Sequence, residues 1–350
     1  MDRININGST SYDVIIEHNI LDKCGDLLRE ELAGSKSLIV TDSNVAVLYL
    51  GKVSDSLRQA GYETSSIVLS AGEETKNVDN YTFLLNVLSE REFSSTDLII
   101  ALGGGVIGDL VGFVAATFKR GTKFVQIPTT LLAAVDSSIG GKTAINLING
   151  KNQVGIIRNP SIVICDPSVI ATLSDSALHE AYAEIIKYGV LSGSEIINSL
   201  RRSISDGDYS DVIFRSVSIK KDIVEMDESD QDLRQYLNLG HLIGHAIEAS
   251  SDYTIPHGYA IAEGLFYESK CCALAGYCKM NSHLAISDIL REFGFDNFKR
   301  YSYDDLAPFL VQDKRIRDNS ISIIVPESIG SCRMQSIDFS NLEAFIRLGL

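Results

Sequence analysis

Basic residues are scarce in this chain of 350. Lys and Arg number 31 against 46 Asp and Glu, a formal net charge of −15. Gripping a nucleic-acid backbone or docking on an anionic membrane requires a basic face, so neither partner is expected. Cysteine is sparse as well. The six thiols (Cys24, Cys165, Cys271, Cys272, Cys278 and Cys332) include no C-x-x-C pair, which points to reduced cysteines in a cytoplasmic protein rather than a disulfide framework. The opening MDRININGST lacks a basic stretch followed by an apolar run, so no secretory signal is expected there. Long hydrophobic runs are missing too. Residues 98–118 come closest, but Gly103, Gly104, Gly105 and Gly108 cut them into halves of about ten residues, each too short to span a bilayer. Repeats, low-complexity tracts and blocks of like charge do not occur. What remains, 45% hydrophobic and 22% charged, is the composition of a soluble globular protein with ample material for a core.

Six short runs rich in Val and Ile read as strands bounded by turn residues: SYDVIIEH, SLIVTDSN, SSIVLSAG, DLIIALGG, KFVQIPTT and SIVICDP. Helical patterns lie between them, as in NVDNYTFLLNVLSERE, where Phe83, Leu84, Val87 and Leu88 share a face. This alternation predicts a parallel or mixed sheet covered on both faces. Beyond residue 173 the character changes. Helical patterns run over 175–191, 212–226, 233–249, 259–275 and 283–293, and only ISIIVP and CRMQS look like strands. The expected organisation is a Rossmann-like α/β domain over 1–173 followed by a mostly helical domain over 174–350. A length of 350 residues suits two domains.

Residues 97–118, DLIIALGGGVIGDLVGFVAATF, read as strand, glycines, helix, and Gly103, Gly105 and Gly108 satisfy G-x-G-x-x-G. Such glycines let a backbone approach a pyrophosphate, and the helix start offers unpaired N–H groups and a positive dipole end. The acidic residue usually found about 20 positions later is absent, the segment there being KFVQIPTT; Asp42 and Asn44 in TDSN could hold a ribose instead. A second polar, glycine-broken segment, residues 127–152, carries Thr129, Thr130, Asp136, Ser137, Ser138, Lys142, Lys151 and Asn152 after a strand. Lysines and hydroxyls at strand ends suit an anionic ligand, although the glycine spacing is not that of a P-loop.

Only six histidines occur, and three of them, His241, His245 and His257, fall within 17 residues. His241 and His245 are four apart and share a helix face. Glu184, alone in the apolar AYAEIIKYG, could complete a set of two histidines and a carboxylate that leaves one position open, as in a catalytic zinc site. Spacing leaves open which histidines bind metal and which serve as a general base. Lys187, one turn after Glu184, pairs either with a substrate carboxylate or, as a surface i,i+3 pair, with Glu184 itself. Lys220 and Arg234 flank the acidic DIVEMDESDQD and could simply neutralise it.

Taken together, GGGVIGDLVGFVAATFKRG, VQIPTTLLAAVDSSIGGKTAIN, GKN, AEIIKYG, LRQYLNLGHLIGHAIE, HG and DKR occur in an order that closely resembles the 3-dehydroquinate synthases, a family of sugar phosphate cyclases. The resemblance runs from about residue 42 to 326. It implies an α/β NAD domain, a helical metal domain and a homodimer. It also implies zinc, or cobalt in its place, held by Glu184, His241 and His257, with His245 left to proton transfer. NAD would contact Asp42, Asn44, Glu73, Lys76, the loop at Gly104, Gly105 and Gly108, and Asp109. Thr129, Thr130, Lys142, Lys151, Thr172 and Leu173 match further cofactor positions. Around the substrate the resemblance gathers Asp136, Lys142, Lys151, Asn152, Lys187 and Lys220, then Arg234, Asn238, His245 and Lys314. Of these, Lys142, Lys187, Arg234, Asn238 and His245 match catalytic positions, and Arg120 matches an arginine that reaches the phosphate from the partner subunit.

The implied reaction turns 3-deoxy-D-arabino-heptulosonate 7-phosphate into 3-dehydroquinate and phosphate. Transient oxidation by NAD acidifies a C–H, phosphate leaves by β-elimination, the hydride returns and an aldol step closes the ring. Arg234, Asn238 and the Gly-Gly-Lys of SSIGGKTAIN separate the chain from the 2-deoxy-scyllo-inosose synthases, and Arg234 suits a substrate carboxylate that glucose 6-phosphate lacks. Differences from the family pattern include Ala177 where a Glu is common, HGYAIAEGL for HGEAVAIGM, and Leu242 for Thr. The metal-dependent polyol dehydrogenases share the expected architecture but lack these signatures. Seven basic residues out of 31 would thus converge on one anionic substrate inside an acidic shell.

Overall fold

The computed structural model describes residues 1–148, 150–310 and 319–350. The chain divides into two compact units, Met1–Leu173 with Gly207–Ser229, and Ser174–Asp206 with Asp230–Leu350.

The first unit is built on strands β1 (Asp2–Ile6), β2 (Tyr12–Ile16), β3 (Lys36–Asp42), β4 (Glu63–Leu69), β5 (Leu98–Gly103) and β6 (Lys123–Pro128). A hairpin of β7 (Lys142–Leu147) and β8 (Gly150–Ile157) follows, and then β9 (Ile162–Cys165). Among the described residues seven strands form one sheet in the order β1-β2-β9-β6-β5-β3-β4, antiparallel only between β1 and β2. The six strands expected from sequence are β2 to β6 and β9. Every residue of β5 and β9 is buried, which is why both read as unbroken apolar runs. β3 leads outward to β4, and the chain then crosses back to place β5 on the other side of β3. The carboxyl ends of β3 and β5 therefore flank a topological switch point, where open α/β sheets hold their ligands.

Helix α1 (Gly105–Thr117) leaves β5 directly and buries Leu110, Val111 and Val114 against Leu38, Val40 and Ile99 of the sheet and Leu84 and Leu88 of the helix Val78–Glu90. Within the polar, glycine-broken segment 127–152, residues from Lys142 onward form β7 and the start of β8. Gly112 makes room for β7, since a Cβ there would overlap the Thr143 side chain.

The second unit begins with helix α2 (Asp175–Ser192), whose N-cap Ser174 accepts the Ala177 N–H at 3.3 Å. Helix α3 (Ser210–Met226) belongs to the first unit, and helices α4 (His241–Ser250) and α5 (His257–Leu274) to the second. The second unit closes with a hairpin of β10 (Ser320–Ser328) and β11 (Ser331–Asp338) and the helix Phe339–Gly349. Its core joins Ile243 and Ile247 of α4, Tyr267 and Cys271 of α5, Ile323 and Val325 of β10 and Phe345 of the last helix. The pattern over 233–249 reads as one helix, but the structure breaks it at Gly240, whose φ of 79° belongs to no right-handed helix; a short turn, Leu233–Asn238, precedes the break. No helix among the described residues is long and apolar enough to cross a membrane.

Candidate functional site

Two groups of polar residues stand out, one in each unit. In the first unit Asp42 ends β3, and its Oδ1 accepts the N–H groups of Asn44 (2.9 Å) and Val45 (3.1 Å), turning the chain away and leaving Asn44 exposed. At the end of β5, Gly104 caps α1 without a side chain. A Cβ on Gly105 would lie 2.9 Å from Ser137 Oγ, and one on Gly108 would lie 2.6 Å from Gln126 Oε1, so neither position tolerates a larger residue without a shift. Thr129 N–H donates to the Gly103 carbonyl at 3.0 Å, and Thr130 Oγ1 accepts the Ala133 N–H at 3.1 Å. The hydroxyls of Thr129 and Thr41 are buried with no hydrogen-bond partner among the described residues. A bare helix start, a turn without side chains and two unpartnered hydroxyls fit a phosphate-bearing nucleotide.

Beside the glycine turn Lys76 is buried, its Nζ 2.9 Å from Asp109 Oδ2 and 3.3 Å from Glu73 Oε1. Burial works against the Lys76 ammonium, but these two carboxylates hold its pKa above the ordinary value. Burial in turn raises the Asp109 carboxyl against the pull of Lys76. Asn146 of β7 completes the cluster, donating its amide to Glu73 Oε1 (2.7 Å) and its backbone N–H to the Lys76 carbonyl (2.8 Å). Asn146 Oδ1 accepts the N–H of Asn152, which links GKN to the same group.

Lys142 opens β7 and Lys151 lies in β8. Lys220 of α3 donates to the Asp136 carbonyl (2.6 Å) and to its Oδ1 (2.9 Å), so it does not neutralise the acidic stretch that follows it. Thr172 Oγ1 lies 2.8 Å from the hydroxyl of Tyr49, in the segment following Asp42, and Leu173 beside it is half-buried. Arg120 sits on an exposed bend with Lys119 and Gly121, three consecutive residues at φ 49°, 64° and 125°. Left-handed conformation in non-glycine residues is strained and concentrates at functional positions. Lys314 lies outside the described residues.

In the second unit Glu184 and Lys187 of α2 are both buried and form an ion pair, so Lys187 makes no surface pair. His241 Nε2 and His257 Nε2 each lie 3.5 Å from the same oxygen, Glu184 Oε1. The other ring nitrogens are held from behind: His241 Nδ1 is 3.0 Å from the Leu239 carbonyl, and His257 Nδ1 is 3.1 Å from Glu248 Oε2. Donor atoms of Glu184, His241 and His257 lie within 4.8 Å of one another, as do those of His245, Glu248 and His257. Glycines make this approach possible. A Cβ on Gly264 of α5 would overlap the Gly240 carbonyl, pressing α4 and α5 together, and one on Gly258 would overlap the backbone of Glu180, one turn before Glu184.

Burial, Lys187 and the neighbouring histidines hold the His241 pKa well below its ordinary value, which keeps the imidazole neutral. Burial lowers His257 too, but the carboxylates of Glu184 and Glu248 facing its two ring nitrogens lift it to about 10. Two imidazole nitrogens and a carboxylate oxygen that converge, each imidazole braced by an acceptor, fit a divalent ion of the zinc class with one position open. His245 is exposed, its ring centre 5.1 Å from that of His241. Arg234 is almost wholly buried on the Leu233–Asn238 turn, with Asn238 half-buried at its end. Sequence reasoning passed over Asn146 and Glu248. An alternating pattern with Lys142 could have pointed to Asn146, whereas Glu248 looks like an ordinary helix residue.

Family models described as 3-dehydroquinate synthase N-terminal and 3-dehydroquinate synthase C-terminal match residues 66–180 and 181–316. The 3-dehydroquinate synthase of Caldanaerobacter subterraneus subsp. tengcongensis is 38% identical over 335 residues, covering 93% of this chain and 94% of its own. Among solved structures, a 2-deoxy-scyllo-inosose synthase complexed with carbaglucose-6-phosphate, NAD+ and Co2+ superposes over 100% of both chains with a TM-score of 0.87 at 21% identity. The 2-epi-5-epi-valiolone synthase of Streptomyces hygroscopicus subsp. jinggangensis, with NAD+ and Zn2+ bound, matches 98% of both chains with a TM-score of 0.86 at 24% identity. At these identities the two structures speak for the fold.

Proposed function

The chain belongs to the 3-dehydroquinate synthase family, and from that membership we propose that it converts 3-deoxy-D-arabino-heptulosonate 7-phosphate to 3-dehydroquinate and phosphate in the shikimate pathway. The observation that carries the reading is the converging donor set of Glu184, His241 and His257 with Lys187 beside it, in a chain whose family match spans residues 66–316. NAD at the glycine turn would supply a reversible hydride acceptor, and zinc or cobalt on Glu184, His241 and His257 would supply Lewis acidity.

The chain's own residues do the rest. Asp42, the bare start of α1 and the Thr129 hydroxyl orient the dinucleotide, while Glu73, Lys76 and Asp109 line it with fixed charge. Arg234 takes the substrate carboxylate by bidentate pairing; a buried guanidinium loses little on being fixed in that geometry. Lys142, Lys151, Asn152, Lys220 and Arg120 grip the phosphate, with Asp136 holding Lys220 in place. Lys187 and Asn238 bind substrate hydroxyls, and the exposed His245 carries the proton that the eliminated C–H gives up. Supply of Arg120 from a partner subunit requires a homodimer, and the exposed apolar side chains of the hairpin (Ile148, Val154, Ile156, Ile157) support one. A cytoplasmic location agrees with the six free thiols.

The test offers the protein, with NAD and zinc, three substrates in parallel: the heptulosonate phosphate, glucose 6-phosphate and a simple polyol. Phosphate and dehydroquinate from the first alone is the expected result. Turnover of glucose 6-phosphate, or NADH accumulating from the polyol, would overturn the assignment.

A further inference from the structure

Helix α4 starts with no cap of its own. Its N-cap, Gly240, adopts a left-handed conformation and has no side chain to accept the first N–H groups. A residue that could accept them does not fit there. A Cβ on Gly240 would lie 2.8 Å from Leu265 Cγ and 2.9 Å from the Leu265 nitrogen, and the Gly240 carbonyl fills the space beside Gly264. The close packing of α4 on α5 that brings His241 and His257 to one carboxylate thus excludes the Ser, Thr or Asp that commonly caps a helix. Buried and uncapped, the start of α4 would leave N–H groups without partners.

Glu268 fills this gap from the neighbouring helix. It lies on α5 one turn beyond Gly264, is 3% exposed, and accepts the Gly240 N–H on Oε2 (3.1 Å) and the Ile243 N–H on Oε1 (2.8 Å). We propose that Glu268 caps α4 in trans and is the positioning residue that sets where His241, the first residue of that helix, presents its Nε2. The proposal rests on the reading of Glu184, His241 and His257 as metal ligands. A buried carboxylate is costly unless it is hydrogen-bonded, and the positive end of α4 with two directed N–H groups meets that need. Its charge reaches the thiols of Cys271 and Cys272 on the same helix, which burial first and Glu268 next push above the ordinary value. Glutamine is a poor substitute: its amide accepts on one side only, so its NH₂ would face one of the two N–H groups.

The test measures zinc affinity of the full chain by chelator competition, together with the absorption spectrum of its cobalt form, for wild type, Glu268→Gln and His241→Ala. Loss of metal by His241→Ala, with zinc affinity lowered about tenfold and an altered cobalt spectrum in Glu268→Gln, is the expected result. A cap that merely stabilised the fold would change neither affinity nor spectrum, so wild-type values in Glu268→Gln overturn the proposal while leaving the ligand assignment intact. Wild-type affinity in His241→Ala overturns the ligand assignment, and the proposal with it. If Glu268→Gln does not fold, Glu268→Asp, which keeps the charge but withdraws it by one methylene, gives the same readings.

Discussion

At the switch point of its sheet the first unit presents bare backbone, a glycine turn, the start of α1 and strand ends, with Asp42, a few hydroxyls and the Glu73, Lys76 and Asp109 cluster around it. At the junction of α2, α4 and α5 the second unit offers almost no backbone. Glu184, Lys187, His241 and Glu248 are all buried there, and His257 is largely enclosed among them. Glycine serves both regions, for different ends. In the first it seats the turn and the start of α1 against Thr130, Ser137 and Gln126 and leaves the main chain bare; in the second it lets helices approach each other until ionisable side chains meet. Damage should therefore differ in kind. A lost side chain should cripple the second site, while an added methyl group should suffice at the first.

His257→Ala breaks the comparison most severely. Metal affinity should fall by more than the roughly 100-fold that losing an outer partner costs, and activity with it, while NAD binding and the fold survive. Metal content of the dialysed variant, beside NAD titration, checks both halves. Next comes Glu248→Gln, which weakens the brace behind His257 Nδ1. Zinc affinity should drop about 10- to 100-fold with NAD affinity unchanged, as chelator competition would read. Gly108→Ala is the counterpart in the first unit. Its methyl would push aside Gln126 Oε1, the far end of a side chain, so the fold should hold while NAD binds more weakly and zinc binds as before.

A residue of neither site should leave both affinities where they are. The Asp97 carboxylate accepts the N–H groups of Ser35 (3.1 Å), Lys36 (2.9 Å) and Ser94 (2.7 Å) and the Ser94 hydroxyl (2.7 Å). Burial pushes its pKa up, but these bonds outweigh burial and hold it below the ordinary value. Because the folded value lies below the unfolded one, this stabilisation is complete above about pH 4 and is lost as the pH falls through the folded value. Asp97→Asn should cost about 1–3 kcal/mol at neutral pH, a difference that closes on acidification, with metal and NAD affinities unmoved. Denaturant titrations across that pH range would show it.

The same contrast decides what the sequence could reveal. The strands and the glycine turn were legible because their signals are local: an unbroken apolar run such as Leu98–Gly103 and glycines at fixed offsets need no knowledge of distant residues. Glu184, His241 and His257 stood out by rarity and by family motif. Glu248 and Glu268 did not, since an acidic residue on a helix is ordinary until the opposing helix is seen to bring it a histidine or a bare N-terminus. The break at Gly240 was hidden for the same reason, because apolar spacing continues across it and only the contact with Gly264 forces the turn. The helical pattern of Ser210–Met226 likewise does not say that the helix belongs with the first unit, where Lys220 meets Asp136.

In the proposed reaction oxidation is borrowed and returned while phosphate is expelled. The most direct measurement supplies a large excess of 3-deoxy-D-arabino-heptulosonate 7-phosphate to the zinc-loaded protein with limiting NAD, and follows phosphate, dehydroquinate and NADH together. Phosphate and dehydroquinate should appear in equal amounts, many of each per NAD, with no build-up of NADH. Product that stops at one equivalent per NAD with NADH accumulating, or NADH formed without phosphate, would contradict the proposed reaction.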